Sequence, residues 1–410
     1  MGRPMAETLT LDPVSEAGST AKSDGSSAIS VVVVGQVPPP MNGQSLMIRE
    51  FLNGDYAGLR LEHVPMMFSR STSEIGSFGF RKLGVLLDTL VRIVRARFKS
   101  EATILYYPPA GANLVPMLRD LFLLIPARRI FRYTVFHFHA AGLYDIYPRL
   151  PLLLRPLFRL AYEKADLAIF TTELTSAQAV PLKARATAII PCGVSDAGAT
   201  LDVEAARTAD PPTILFAGIL CEGKGVMTLL QACRILRDEG IRFRAVCLGA
   251  FQAADFQEDV EDFVRREKLE DYVQFPGVVT GEAKSNTFAS ASIFCFPSHY
   301  AAESFGVVLI EAMSFSLPIV ATEWQGIPEV TGTCGGSVLV PIKDPAALAL
   351  ALRELLLSPD RRRAMGKLNR ERFLSRFTVA RYRESLHRSL LRVGECARQE
   401  RKQSLAIGVE

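Results

Sequence analysis

Glu303 and Glu311 stand eight residues apart in the segment Glu303-Ser-Phe-Gly-Val-Val-Leu-Ile-Glu311. A carboxylate can accept both protons of a cis-diol, so this pair is equipped to hold sugar hydroxyls. Gly306, between them, lies where the apolar strand Ser292–Pro297 hands over to an apolar helix continuing to Phe315. A helix start presents backbone N–H groups without intrahelical acceptors, and these attract an anion. Eight helical residues span about 12 Å at 1.5 Å each. A sugar diphosphate has roughly that length, with one carboxylate meeting the sugar and the other the ribose. The spacing suits a nucleotide-sugar site.

Three further positions could join that chemistry. Gly218 closes the strand Thr213–Gly218, and the loop from Ile219 leads through Lys224 and Gly225 into a helix. A lysine at a glycine-flanked helix start can hold a phosphate with help from the helix dipole. His139 closes the run Phe136-His-Phe-His139 just past a strand end; alternation puts His137 on the same side, so either could be the functional ring. Gly43 sits in the loop after the first strand, where backbone can approach a phosphate or acceptor closely.

The elements that must position these residues repeat one pattern twice. Ile29–Val34 is a β-branched run too short for a helix, followed by a glycine- and proline-containing loop and the helical Leu46–Phe51. Strands are predicted at Thr103–Tyr106, Tyr133–His137, Leu167–Phe170 and Thr187–Ile190, with helical stretches between. The pattern restarts at Thr213–Gly218 and continues with strands at Phe243–Leu248, Tyr272–Phe275, Ile293–Phe296 and Pro318–Ala321. This predicts an α/β chain of two Rossmann-like, doubly wound domains facing a central cleft. The expected boundaries are a disordered leader over 1–29, an acceptor-binding domain over 30–192 and a linker over 193–212. A nucleotide-sugar-binding domain follows over 213–375, and helices over 376–410 cross back to the first domain.

Composition limits the alternatives. The 410 residues are 49% hydrophobic and 22% charged, enough for two cores. No uncharged apolar stretch reaches bilayer-spanning length, and the N-terminus has no apolar signal core. Seven scattered cysteines without Cys-x-x-Cys spacing fit reduced thiols in a cytoplasm. The net charge of +4 is uneven, because residues 31–190 carry 19 basic and 11 acidic side chains.

The second-half motifs resemble retaining glycosyltransferases of the GT-B fold, specifically glycosyltransferase family 4. The matching residues are Phe216-Ala-Gly218, Lys224-Gly225, Gly277-Val-Val279, Phe296-Pro-Ser298, Glu303 through Met313, Pro318 through Thr322 and Gly326 through Val330. The likeness is specific over 210–390 and diffuse over 30–190. It implies that Glu303 contacts hydroxyls of the transferred sugar and Glu311 those of the ribose. The amides around Phe305, Gly306 and Val307, with Lys224, would balance the diphosphate leaving group. His139 would hydrogen-bond the donor sugar, and main-chain groups near Val278 and Val279 would read the base. Four positions depart from the family pattern. Ile219 replaces an arginine that contacts the diphosphate, Ser316 and Gln325 replace glycines, and Cys192 replaces an asparagine.

The resemblance thus implies transfer of a hexose-type sugar, with retention, from a nucleotide diphosphate sugar to a saccharide or lipid-linked saccharide. The expected setting is surface polysaccharide or glycolipid synthesis. No Asp-x-Asp metal motif occurs, so no metal or other cofactor is required, and no nucleic-acid partner is expected. Basic and apolar residues alternate at Arg81–Lys82, Arg92–Lys99, Arg128–Arg132 and Pro148–Arg159, a mixture that suits an anionic membrane surface. The expected location is cytoplasmic, peripheral on the inner face of the cell membrane. Two other classes compete: a nucleotide-sugar epimerase of the same fold, which would alter donor without acceptor, and a non-catalytic sugar-binding homologue.

Overall fold

The computed structural model describes residues 28–39, 41–66, 80–207 and 210–407. The expected leader therefore lies outside the described residues, apart from its last two positions. Contacts divide the chain into two units: Met1–Pro191 with Tyr382–Glu410, and Cys192–Arg381.

The first unit holds a six-stranded parallel sheet of β1 (Ile29–Gly35), β2 (Leu59–Pro65), β3 (Ile104–Tyr107), β4 (Tyr133–Phe138), β5 (Leu167–Phe170) and β6 (Thr187–Ile189). Its strand order is β2-β1-β3-β4-β5-β6. The Val31–Val34 run is fully buried, as a parallel strand covered on both faces requires. One core joins this sheet to α2 (Phe80–Lys99), α3 (Leu114–Ile130) and α4 (Leu154–Tyr162) through Ile93, Leu124, Phe136 and Phe158. The C-terminal helix returns to this unit from Tyr382. The Tyr382 hydroxyl donates to the Met47 carbonyl at 3.2 Å, and Arg383 bonds the Glu50 carbonyl at 2.7 Å.

The second unit holds β7 (Thr213–Ala217), β8 (Arg244–Leu248), β9 (Val273–Gly277), β10 (Ile293–Phe296), β11 (Ile319–Thr322) and β12 (Ser337–Val340). All its pairs are parallel, in the order β12-β11-β10-β7-β8-β9. The chain thus winds outward from β7 in one direction and then from β10 in the other. Ligands of such sheets bind at that reversal, beyond the carboxyl ends of the two central strands.

Three expectations change here. The helix in the glutamate segment begins only at Val307, with Gly306 as its N-cap at φ 77°, and runs to Ser314. Glu303 therefore lies in the preceding turn, and only about 6 Å of helical rise separates Val307 from Glu311. Apolar patterning alone did not separate the buried turn from the helix it feeds. Second, β2 and β12 are additional edge strands. β2 alternates Arg60, Glu62 and His63 with apolar residues, unlike the apolar run of a central strand, and the short apolar run of β12, Val338–Val340, is mostly only half-buried at the sheet edge. Third, the stretch 193–207, linker-like in composition, is tied to the second unit at two points. Asp196 accepts two bonds from Arg370, at 2.5 and 2.7 Å, and Arg207 bonds the carbonyls of Phe315 and Ser316. Gly and Ala content reports local freedom, not these distant arginine partners.

Candidate functional site

The loops after β7 and β10 meet at the switch point of the second sheet. The loop after β7 closes in a short turn, Glu222–Lys224, ended by Gly225 at φ 75°. A Cβ on Gly225 would lie 2.0 Å from the Pro297 carbonyl oxygen, so only glycine lets the two loops lie this close. The His299 N–H donates to the Gly223 carbonyl at 2.8 Å and locks the loops together.

This seating brings together residues 79 positions apart. Lys224 Nζ is 2.5 Å from Glu303 Oε2, and both side chains are mostly buried. The Ser298 hydroxyl donates to the same oxygen at 3.0 Å. The Thr322 hydroxyl in turn donates to the Ser298 carbonyl, which ties the end of β11 into the group. The Tyr300 and Phe296 rings lie 5.0 and 5.4 Å from the Lys224 ammonium. Tyr300 is itself held where its carbonyl accepts the Trp324 indole N–H at 2.9 Å. An ammonium has three donors, so Lys224 can keep Glu303 and still offer one to a phosphate oxygen.

The remaining second-unit residues take distinct places. Gly218 follows β7, and beside it Ile219 is 38% exposed, so no cation fills that position. Phe305 is buried with its ring 5.8 Å from that of Phe377, fixing the turn that delivers Gly306 and Val307 to the helix start. Glu311 lies in the middle of that helix and pairs with Lys284 at 2.7 Å. Val278 and Val279 follow β9, and Val278 is exposed. Ser316 and Gln325 adopt φ of 53° and 48°, so the left-handed backbone is retained where the resemblance expects glycine.

Sequence reasoning missed Ser298 as a ligand of Glu303 and Lys284 as the partner of Glu311. Ser298 was visible within Phe296-Pro-Ser298 but carried no role. Lys284 lies in the separate helix Gly281–Ser290, and no local spacing connects it to Glu311.

In the first unit, Gly43 is the first residue of α1 (Gly43–Leu52). Asn42 and Ser45 form a reciprocal capping box, with Ser45 N–H donating to Asn42 Oδ1 at 2.9 Å and Asn42 N–H to Ser45 Oγ at 3.1 Å. His139 lies one residue past β4, its ring centroid 4.0 Å from that of His137. His137 is fully buried, and its Nδ1 faces the Tyr106 hydroxyl at 2.5 Å. The structure therefore gives His137 a packing role and leaves His139 nearer the strand's carboxyl end. Burial holds both rings neutral: His139 titrates down at about 3, and His137 is lowered by burial and then by its neighbour His139.

Comparison with known proteins bears on this geometry. Residues 200–372, within the second unit, match the model of the family described as Glycosyl transferases group 1. A putative colanic acid biosynthesis glycosyltransferase, WcaL of Escherichia coli, is 27% identical over 284 residues, covering 67% of this chain and 66% of its own length. Sucrose-phosphate synthase from Thermosynechococcus elongatus superposes with a TM-score of 0.68 at 20% identity, over 92% of this chain and all of its own. HepE of Anabaena, solved in complex with UDP and glucose, gives 0.64 at 18% identity, over 88% of this chain and 99% of its own. These likenesses establish the fold as GT-B, two Rossmann-like domains.

Proposed function

We propose that this chain, with a group 1 glycosyltransferase domain as its second unit, is a glycosyltransferase of polysaccharide biosynthesis. It takes a hexose-type sugar from a nucleotide diphosphate sugar and delivers it, with retained anomeric configuration, to a saccharide or lipid-linked saccharide. The observation that carries this reading is the Lys224–Glu303 contact at the β7–β10 switch point, beside the N-terminus of the helix Val307–Ser314. Relatives point the same way: WcaL is named for colanic acid biosynthesis, and HepE was solved with UDP and glucose.

In the proposed reaction the diphosphate lies against Lys224 and the first N–H groups of the helix at Val307. Negative charge grows on the leaving phosphate as the glycosidic bond lengthens, and these fixed donors stabilise it most at that moment. Glu303, held by Lys224 and Ser298, orients the sugar hydroxyls. Glu311, with its charge offset by Lys284, receives the ribose diol. The acceptor hydroxyl attacks the anomeric carbon on the face that the leaving group departs, and a leaving phosphate oxygen takes its proton. His139, neutral at working pH, is proposed as a hydrogen-bond donor to a substrate hydroxyl from the first unit.

The test is a transfer assay against a panel of nucleotide sugars, with Glu303→Gln as the control. The expected result is nucleoside diphosphate released only with acceptor present, and a loss on the order of 10²–10³ in kcat for the variant. Conversion of the donor sugar without acceptor would assign an epimerase instead. Unchanged turnover by Glu303→Gln would refute the site.

A further inference from the structure

The first unit carries a surface that the proposed reaction does not use. Residues 148–162, Pro-Arg-Leu-Pro-Leu-Leu-Leu-Arg-Pro-Leu-Phe-Arg-Leu-Ala-Tyr, contain six leucines, three arginines and no acidic residue. In α4 the inward face is ordinary: Phe158, Ala161 and Tyr162 are buried in the core. The outward face is not. Leu153, Leu157 and Leu160 fall at i, i+4 and i+7, on one side of the helix, and are 87%, 41% and 47% exposed. Leu152, in the turn before it, is 76% exposed. A surface helix normally turns such a stripe inward and its polar residues outward. Contiguous exposed leucines of this kind mark an interaction surface.

Local structure holds the stripe in place. The Arg155 guanidinium donates to the Pro148 carbonyl at 2.8 Å and the Leu150 carbonyl at 3.2 Å, which fixes the turn that displays Leu152 and Leu153. Cations flank the leucines. Arg149 is exposed, and the Arg159 guanidinium sits 5.5 Å from the Tyr147 ring with only a long contact, 3.7 Å, to Glu163. Other basic residues of this unit are occupied differently. Arg97 donates to the Ile130 carbonyl, and Arg128 to the carbonyls of Leu160, Ala161 and Lys164. Of the basic stretches singled out in the sequence, that at Pro148–Arg159 thus couples outward leucines to flanking cations, while Arg97 and Arg128 tie helix ends together.

We infer that the outward face of α4 and its preceding turn docks on an anionic lipid bilayer. Leu152, Leu153, Leu157 and Leu160 enter the headgroup–acyl boundary while Arg149 and Arg159 meet lipid phosphates. The helix lies flat in the interface, as an apolar stripe edged by arginine does. Charge complementarity selects the bilayer. The stretch offers cations and hydrocarbon with almost no directional hydrogen-bonding group, whereas a protein interface places aromatic and hydrogen-bonding groups at its centre. The inference is independent of the transferase reading.

The test is co-sedimentation of the full chain with phosphatidylcholine vesicles, with and without phosphatidylglycerol, at low and high salt. The expected result is binding to the phosphatidylglycerol vesicles that weakens as salt rises. The Leu153→Ser/Leu157→Ser variant should bind at least about tenfold more weakly with an unchanged melting temperature. Wild-type protein left in the supernatant at low salt would overturn the inference, as would a variant that sediments like wild type. A change of oligomeric state caused by the variant, with vesicle binding intact, would give the face to a second copy of this chain instead.

Discussion

Where the second sheet reverses, between β7 and β10, two loops touch directly, and the polar groups they carry sit at the meeting point. Where the first sheet reverses, between β1 and β3, the polar group lies underneath. Asp120, on α3 and fully buried, accepts from the Tyr107 hydroxyl at 2.7 Å, the Tyr162 hydroxyl at 3.0 Å and the Ala110 N–H at 2.7 Å. Arg119 adds a contact at 2.8 Å. Burial, reinforced by the Asp120 charge, pushes both tyrosines well above their usual titration range, so they remain hydrogen-bond donors. The second sheet thus builds its site with backbone constraint, which seats the Lys224–Glu303 pair, mostly buried, where the two loops meet. The first uses a buried carboxylate to shape the loop after β3 from beneath.

The comparison can be broken most easily at Asp120. Asp120→Ala strands two buried hydroxyls and an N–H, and should cost about 3–5 kcal/mol in denaturant unfolding. Nucleoside diphosphate affinity under native conditions should stay near wild type, and a large loss would show the two switch points are not separable. Gly225→Ala tests the other side. A left-handed residue whose Cβ meets a carbonyl should cost about 3 kcal/mol and weaken nucleotide binding as the loops part. Ile219→Arg sharpens the same point. It restores a cation beside Gly218 and should tighten nucleoside diphosphate binding by about tenfold, measured by calorimetry, if Lys224 carries that charge alone.

A pH dependence belongs to the first unit. His139 is neutral in the folded chain down to about 3, whereas an unfolded histidine protonates near its ordinary value. Between those limits the unfolded state binds more protons, so stability falls as pH is lowered from about 6.5 toward 3. His137, lowered in the same direction, adds to this. Melting curves at pH 7.5 and pH 5 should show the lower stability at pH 5, and His139→Gln should flatten the difference.

The same contrast explains how much of the molecule was legible in the sequence. β1, β7 and β10 are apolar, β-branched or aromatic runs, and their successors in the chain alternate with helices, so the two doubly wound domains could be read directly. Glu303 and Lys224 sit in loops with glycine punctuation, and Glu311 in the helix that one of those loops feeds, an order that local pattern preserves. Strand order could not be read, and it is strand order that puts Lys224 beside Glu303. Asp120 left one signal, a lone carboxylate within the apolar helix Leu114–Ile130, because such a charge must find donors if it is buried. Its partners come from β3, α4 and a loop, and no spacing along the chain links them.

The account rests on Lys224 holding the donor's phosphates while Glu303 serves the sugar. Calorimetric titration of nucleoside diphosphates into wild type, Lys224→Met and Glu303→Gln separates those roles. The account predicts at least about a tenfold loss of affinity for Lys224→Met and a change of less than about threefold for Glu303→Gln. Wild-type affinity in Lys224→Met would contradict it.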